Sequence, residues 1–270
     1  MRTYAALALR LALLAAGLVL VWRITLSIAY QGGRDTASHL GAGLAISVAT
    51  AALVYALLRL DRLSWRDVGV GNFAANLRAF ALGAGLWLAP ALAGVALCVA
   101  LGWTSISLRS PPAAAAMAMA LLPLALGVFL VEALPEELAL RGYAQGLVGR
   151  QAPAWVALLA QALLFTAFAW AVGALDSLQQ WLFIPGLALI LGYARALTGS
   201  VWTGIGIHAT WMTAQQWMSL HCSVAGMQTL QFLAFALLPS ATLGIALGLR
   251  HPHFDWRIPL RGPADPVRKP

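Results

Sequence analysis

The chain has 270 residues, of which 61% are hydrophobic and 10% charged, and its formal net charge is +8. A soluble domain carries about 25% charged residues, so this composition excludes a water-soluble protein of any fold. The positive charge comes from 16 Arg and one Lys that sit between apolar blocks; no basic stripe with interleaved aromatics is present, which sets nucleic acid aside as a partner.

The apolar blocks approach the roughly 20 residues needed to cross a bilayer as a helix. A spanning backbone must satisfy its own hydrogen bonds, as helix or closed barrel, and continuous blocks without alternation select helices. The fold expected is an all-α integral membrane protein: a bundle of about eight transmembrane helices with one short interfacial helix. In chain order the spans are expected near residues 4–29, 38–58, 79–101, 113–134, 153–173, 179–195, 200–220 and 228–249. The first begins "MRTYAALALRLALLAAG". Its charged start fits a signal peptide, but Arg10 interrupts the apolar run and no clear cleavage site follows, so it reads as a retained span.

Between spans two and three, "LSWRDVGVGNFAANLRAF" reads as the interfacial helix, with Trp65 and Phe73 as anchors. After Pro112 nothing obvious breaks the chain before Arg150, so span four is expected to run beyond its apolar block, kinked or split at Pro123 and Pro135. Cys98 and Cys222 are the only cysteines. They fall near one membrane face, where a bond is open to them, although two separate thiols is the simpler reading. Residues 1–250 read as one bundle and 251–270 as a disordered tail rich in Pro and Arg.

Arg positions set the orientation. With eight spans both termini share a side, which receives Arg2, Arg59, Arg62, Arg66, Arg78, Arg150, Arg195 and the basic tail, whereas the other receives Arg34, Arg109 and Asp176. The positive-inside rule makes the first side cytoplasmic. An integral protein of a bacterial plasma membrane with cytoplasmic termini is expected.

Chemistry concentrates in "LVEALPEELALRGYAQGLVGR". The chain has three Glu, and all of them, Glu132, Glu136 and Glu137, lie here within six residues. An ionisable side chain at a helix centre costs about 2.5–3.5 kcal/mol on insertion scales, so three carboxylates require either an interfacial position or a function. The apolar continuation to Arg150 favours function. Glu136 precedes Arg150 by 14 residues, roughly 21 Å of helix, and His208 follows Arg195 by 13, about 20 Å. The two reach one depth. His39 and His221 fall near the outer face, and His251 and His253 lie in the tail. Pro135 is acceptable at the first position of a new helical segment, which would put Glu136 and Glu137 in its favourable first turn. Glu137 and Arg141 are i and i+4 and should pair. Glu136 points about 100° away and lacks that partner. Two carboxylates in contrasting environments mark an acid/base site, with Glu136 as general base on water, Glu137 and Arg141 as its brace, and Glu132 one turn away, positioned to modulate it.

These residues resemble a known family. "EELALRG" fits the EExxxR motif of the CPBP family, the CAAX proteases and bacteriocin-processing enzymes, also called Abi. "ARALTGSVWTGIGIHA" is similar to the family's segment that begins TGS-x-W and ends HA, and "LSWRDVGVG" is familiar from bacterial members. The likeness covers residues 110–215, which then form the catalytic core. It implies an eight-helix intramembrane endopeptidase that cleaves a membrane-associated peptide or protein with water activated by glutamate and histidine. It places the motif residues on Glu136, Glu137, Arg141 and His208, and it implies a divalent metal such as zinc. Two positions depart. The FxxxH motif falls on Phe165 to Ala169, so Ala169 replaces its histidine, and the last motif has Met212 at its polar position. Ala169 argues against metal, because Glu136 and His208 alone are too few ligands for a tetrahedral site. Gln161, two turns before Ala169, reads as a polar contact to a neighbouring helix. The alternative is a catalytically impaired relative that binds a membrane peptide or protein. A proton-coupled carrier would also use buried carboxylates, but no inverted repeat supports it.

Overall fold

The computed structural model describes residues 2–109 and 114–260. Among them eight long helices form a bundle. They are α1 (Arg2–Ala29), α2 (Thr36–Asp61), α3 (Phe73–Ala100), α4 (114–149), α5 (Ala154–Ala171), α6 (Leu178–Thr198), α7 (Val201–His221) and α8 (Met227–Arg250). Seven of these are long and apolar enough to cross a membrane. The exception is α7, whose Thr, Gln and His residues make it the most polar of the set. Large apolar side chains such as Leu122, Leu163, Leu182 and Leu249 face outward, as the hydrocarbon of a bilayer requires.

Two apolar clusters flank the middle of the bundle. One joins Leu14 and Trp22 of α1, Ile46 and Val54 of α2, Leu140 and Tyr143 of α4, and Phe165 and Phe168 of α5. The other joins Trp87 of α3, Leu191 of α6, Ile207 of α7 and Phe235 of α8. Between them a smaller cluster, Ala133, Leu138, Val201, Ile205 and Ala209, seats α4 directly on α7. Helix α3 backs α7 at very short range. A Cβ on Gly83 would collide with the Thr203 carbonyl, and one on Gly206 with the Phe80 carbonyl. Small residues permit this approach between membrane helices.

Helix α4 is continuous where a kink or split was expected at Pro123 and Pro135. The backbone stays helical through Pro135 by widening. Phe129–Ala133 and Glu137–Ala144 are π-helical, on either side of an α-helical turn at Leu134–Glu136. The proline accounts for the first of them. In the first π segment the Leu134 N–H bonds to the Phe129 carbonyl, five residues back. The next carbonyl in that register, that of Leu130, faces Pro135, which has no N–H. Ser47 of α2 donates its hydroxyl to it at 2.6 Å. Helix α8 also widens ahead of a proline. Gln231–Leu237 is π-helical, and the Phe235 carbonyl, four residues before Pro239, accepts from Trp87 Nε1 at 3.2 Å. Because Pro135 starts no new helix, Glu136 and Glu137 do not sit at a free helix N-terminus, contrary to expectation, and gain nothing from a helix dipole there.

Three further differences from expectation lie outside the spans. The segment after α2 is not a helix. Residues 64–70 fold as successive turns, with Asp67 N bonded to Ser64 O and Gly69 N to Arg66 O, and Phe73 already belongs to α3. Asn72 caps that helix through the Ala75 N–H. On the face away from the arginine-rich loops, Ser105–Leu108 (β1) and Cys222–Ala225 (β2) form a short antiparallel ladder. It ties the α3–α4 connection to the α7–α8 connection. Cys98 and Cys222 are free thiols, both buried.

The third difference is the tail. Residues 251–260 are ordered against the bundle, contrary to the disorder expected from residue 251; the tail expected over 261–270 lies outside the described residues. The reason is unmet backbone demand. Pro153 offers α5 no side-chain cap, so two of its orphan N–H groups take tail carbonyls: Ala154 N bonds to Ile258 O at 2.9 Å and Trp155 N to Trp256 O at 3.2 Å. Leu260 N returns to the Gly149 carbonyl at the end of α4, at 2.7 Å.

Candidate active site

Helices α4 and α7 carry the site as a ladder of facing polar side chains. Gln216 donates to Glu132 Oε1 at 2.9 Å. One turn along α4, Glu136 Oε2 lies 3.9 Å from His208 Nε2. Beside it, Glu137 Oε1 lies 3.2 Å from His208 Nδ1 and 2.9 Å from an Arg141 nitrogen. The equal depths expected for Glu136 and His208 are thus realised as direct neighbours. His39 and His221 stand elsewhere, hydrogen-bonded to Tyr30 and packed at a tilt against Trp217.

Glu137 is the hub. It is fully buried, as is Arg141, and the i, i+4 spacing delivers the expected ion pair. The guanidinium lies 4.3 Å over the Phe165 ring, a cation–π platform that suits a planar, desolvated cation. The second carboxylate oxygen of Glu137 has no hydrogen-bond partner among the described residues and faces Gly204, where a Cβ would run into it. Gly204 therefore makes room for the carboxylate. The contact with His208 orients the imidazole. With Nδ1–H directed at Glu137, a neutral imidazole turns the lone pair of its other nitrogen, Nε2, towards Glu136.

Glu136 is 8% exposed and His208 2%, so the facing atoms are nearly sealed. A single water within about 2.6–3.2 Å of each can bridge the 3.9 Å between them. Alongside runs a lateral apolar groove of about 870 Å³ between α3, α4 and α7, with Phe129, Ala209 and Thr213 on its wall. Thr213 therefore faces apolar surroundings.

Ala169 is buried on α5, beyond the Phe165 that supports Arg141. Gln161 on the same face donates to the Ala188 carbonyl of α6 at 2.8 Å, which is the contact to a neighbouring helix expected for it. Glu137 Oε1 is engaged by Arg141 and by His208 Nδ1 and its Oε2 faces Gly204, so Glu136 and His208 Nε2 are the donors left facing each other. Among the described residues no group of three or more His, Cys, Asp or Glu could hold an ion. A catalytic zinc uses three protein ligands, and these residues do not fit one.

Several partners were not singled out from sequence: Gln216 for Glu132, Gly204 beneath Glu137, Phe165 beneath Arg141, and Ser47 for the Leu130 carbonyl. Gln216 alone left a signal, as a polar residue eight positions after His208 on a broad helix face.

Residues 118–214 match the family described as type II CAAX prenyl endopeptidase Rce1-like, a match consistent with the CPBP resemblance. The matched stretch contains Glu136, Glu137, Arg141 and His208. No curated protein and no solved structure matches the chain.

Proposed function

We propose that this chain is an intramembrane endopeptidase that cleaves a membrane-associated peptide or protein with a water activated between Glu136 and His208. The observation that carries the reading is the 3.9 Å approach of Glu136 Oε2 to His208 Nε2 inside a stretch that matches a protease family. In this reading the water donates one hydrogen bond to each and keeps its lone pairs for the substrate. As the oxygen attacks the peptide carbonyl carbon, Glu136 takes a proton. When the C–N bond breaks, Glu136 returns that proton to the leaving nitrogen. His208 holds the water in line, and Glu137, braced by Arg141, holds His208. No step passes through a metal.

The protein would be integral to a bacterial plasma membrane, with the arginine-rich face and both termini towards the cytoplasm. The test uses the purified protein and a fluorogenic peptide library in detergent. Cleavage by the wild type that is lost in Glu136→Ala supports the proposal, and cleavage that survives the substitution refutes the role of Glu136. A second reading, a peptide-binding relative without activity, is favoured by Ala169 and Met212 at positions where the family has polar residues. It predicts peptide binding without cleavage of any library member.

A further inference from the structure

A second polar site lies at the arginine-rich end of the bundle. A cavity of about 460 Å³ opens where the ends of α4 and α6 meet the turns at 64–70 and the strap at 251–260. Arg150 and Arg195 line it, together with Asp67, His253 and the apolar Phe254 and Ile258. The cations are not equivalent. Arg150 is ion-paired with Asp67, whose other oxygen accepts from the Ser64 backbone at 2.8 Å and hydroxyl at 2.6 Å. Asp67 is thereby consumed. Asp255 also lines the cavity; one of its oxygens accepts from the backbone N–H of Arg257 at 2.9 Å.

Arg195 is left over. It is 8% exposed, and among the described residues its Nε has no hydrogen-bond partner and no carboxylate lies within ion-pair distance. Among the described residues its one side-chain hydrogen bond is a long one, 3.5 Å from Nη2 to the Asp67 carbonyl. A guanidinium removed from water without a counter-charge is a costly arrangement. It is retained here on the wall of a cavity large enough for a ligand.

We propose that this cavity binds a phosphate-class oxyanion, with Arg195 as the principal ligand and Arg150 and His253 as auxiliaries. The guanidinium fork matches phosphate oxygens two at a time. The mixed wall suits a phosphate that carries an organic substituent, since Phe254 and Ile258 can cover carbon while the arginines face oxygen. The site stands at the arginine-rich ends of the spans, so the phosphate can come from the head group of an anionic phospholipid or from solution. The strap at 251–260 forms one wall of the cavity, so occupancy should also hold the strap to the ends of α4 and α5.

The test measures the thermal stability of the full chain in dodecyl maltoside, with added phosphatidylglycerol, phosphatidylcholine or inorganic phosphate. Wild type, Arg195→Gln and the exposed control Arg78→Gln are compared. The site predicts a rise of about 3 °C or more in Tm for wild type and Arg78→Gln, absent in Arg195→Gln. A response to inorganic phosphate assigns a soluble ligand, and a response to phosphatidylglycerol alone assigns a head group. No rise with any probe, or an equal rise in Arg195→Gln, overturns the proposal. Should Arg195→Gln fail to fold, native mass spectrometry of the wild type decides. Phosphatidylglycerol or phosphate adducts that outlast phosphatidylcholine adducts on activation support the site, and release at the same energy overturns it.

Discussion

His208 Nδ1 and Arg141 converge on one oxygen of Glu137, at 3.2 Å and 2.9 Å. The second glutamate therefore does more than brace the helix. It is the joint through which α4 fixes the imidazole of α7, and its loss leaves a fully buried guanidinium without a partner. Glu137→Gln should lower stability by about 3–5 kcal/mol, the usual cost of stranding one member of a buried pair. Glu136→Gln should leave stability close to wild type. Thermal unfolding in detergent checks this, and equal losses in the two variants would contradict the division of roles.

Gly204 gives a finer probe, because it touches the site through one carboxylate oxygen. A methyl group there must displace Glu137 and with it His208. Gly204→Ala should cost about 1–3 kcal/mol through overpacking and reduce cleavage far more than it reduces folded yield. Normal turnover by a folded Gly204→Ala protein would show that the position of Glu137 is not critical.

The two side-chain donors near the prolines predict a pair of variants. Ser47→Ala removes the donor to the Leu130 carbonyl, and Trp87→Phe removes the donor to the Phe235 carbonyl. Each leaves a buried acceptor unsatisfied, at about 1–3 kcal/mol. Unchanged melting in both variants would mean that the π segments satisfy those carbonyls by other means.

Sequence reading reached the helices of this fold through their apolar length, and reached the site through depth. Counting residues from Arg150 and Arg195 was enough to bring Glu136 and His208 level, because a helix rises by a fixed amount per residue. It could not see that Pro135 would be absorbed by a π turn, since the relief comes from Ser47, 83 positions from the Leu130 carbonyl that it satisfies. The ordered strap at 251–260 was hidden for a similar reason. Its composition is that of a loose tail, and what orders it is the uncapped start of α5, a demand located elsewhere in the chain. The Glu137–His208 contact needed the rotation of α7 about its axis, which depth alone does not give.

Asp67 supplies a dependence on pH. Its burial favours the neutral acid, but the hydrogen bonds from Ser64 and the Arg150 guanidinium outweigh this and hold its carboxyl below the usual range. A depressed carboxylate adds stability above its unfolded value, about 3.9, and loses it as the pH falls through that value towards the folded one. Wild type should therefore lose Tm more steeply than Asp67→Asn below about pH 4. Parallel curves from pH 6 to pH 3 would contradict the contribution of Asp67.

The most direct test of the shared water is the kinetics of a double variant. Single-turnover cleavage rates of a peptide substrate are compared for wild type, Glu136→Gln, His208→Ala and the combination. If both side chains act on one water, removing the second costs little once the first is gone, as for residues that work as a unit, so the double variant should be about as slow as the slower single. Losses that multiply, or a Glu136→Gln enzyme that still cleaves at the wild-type rate, would contradict the account.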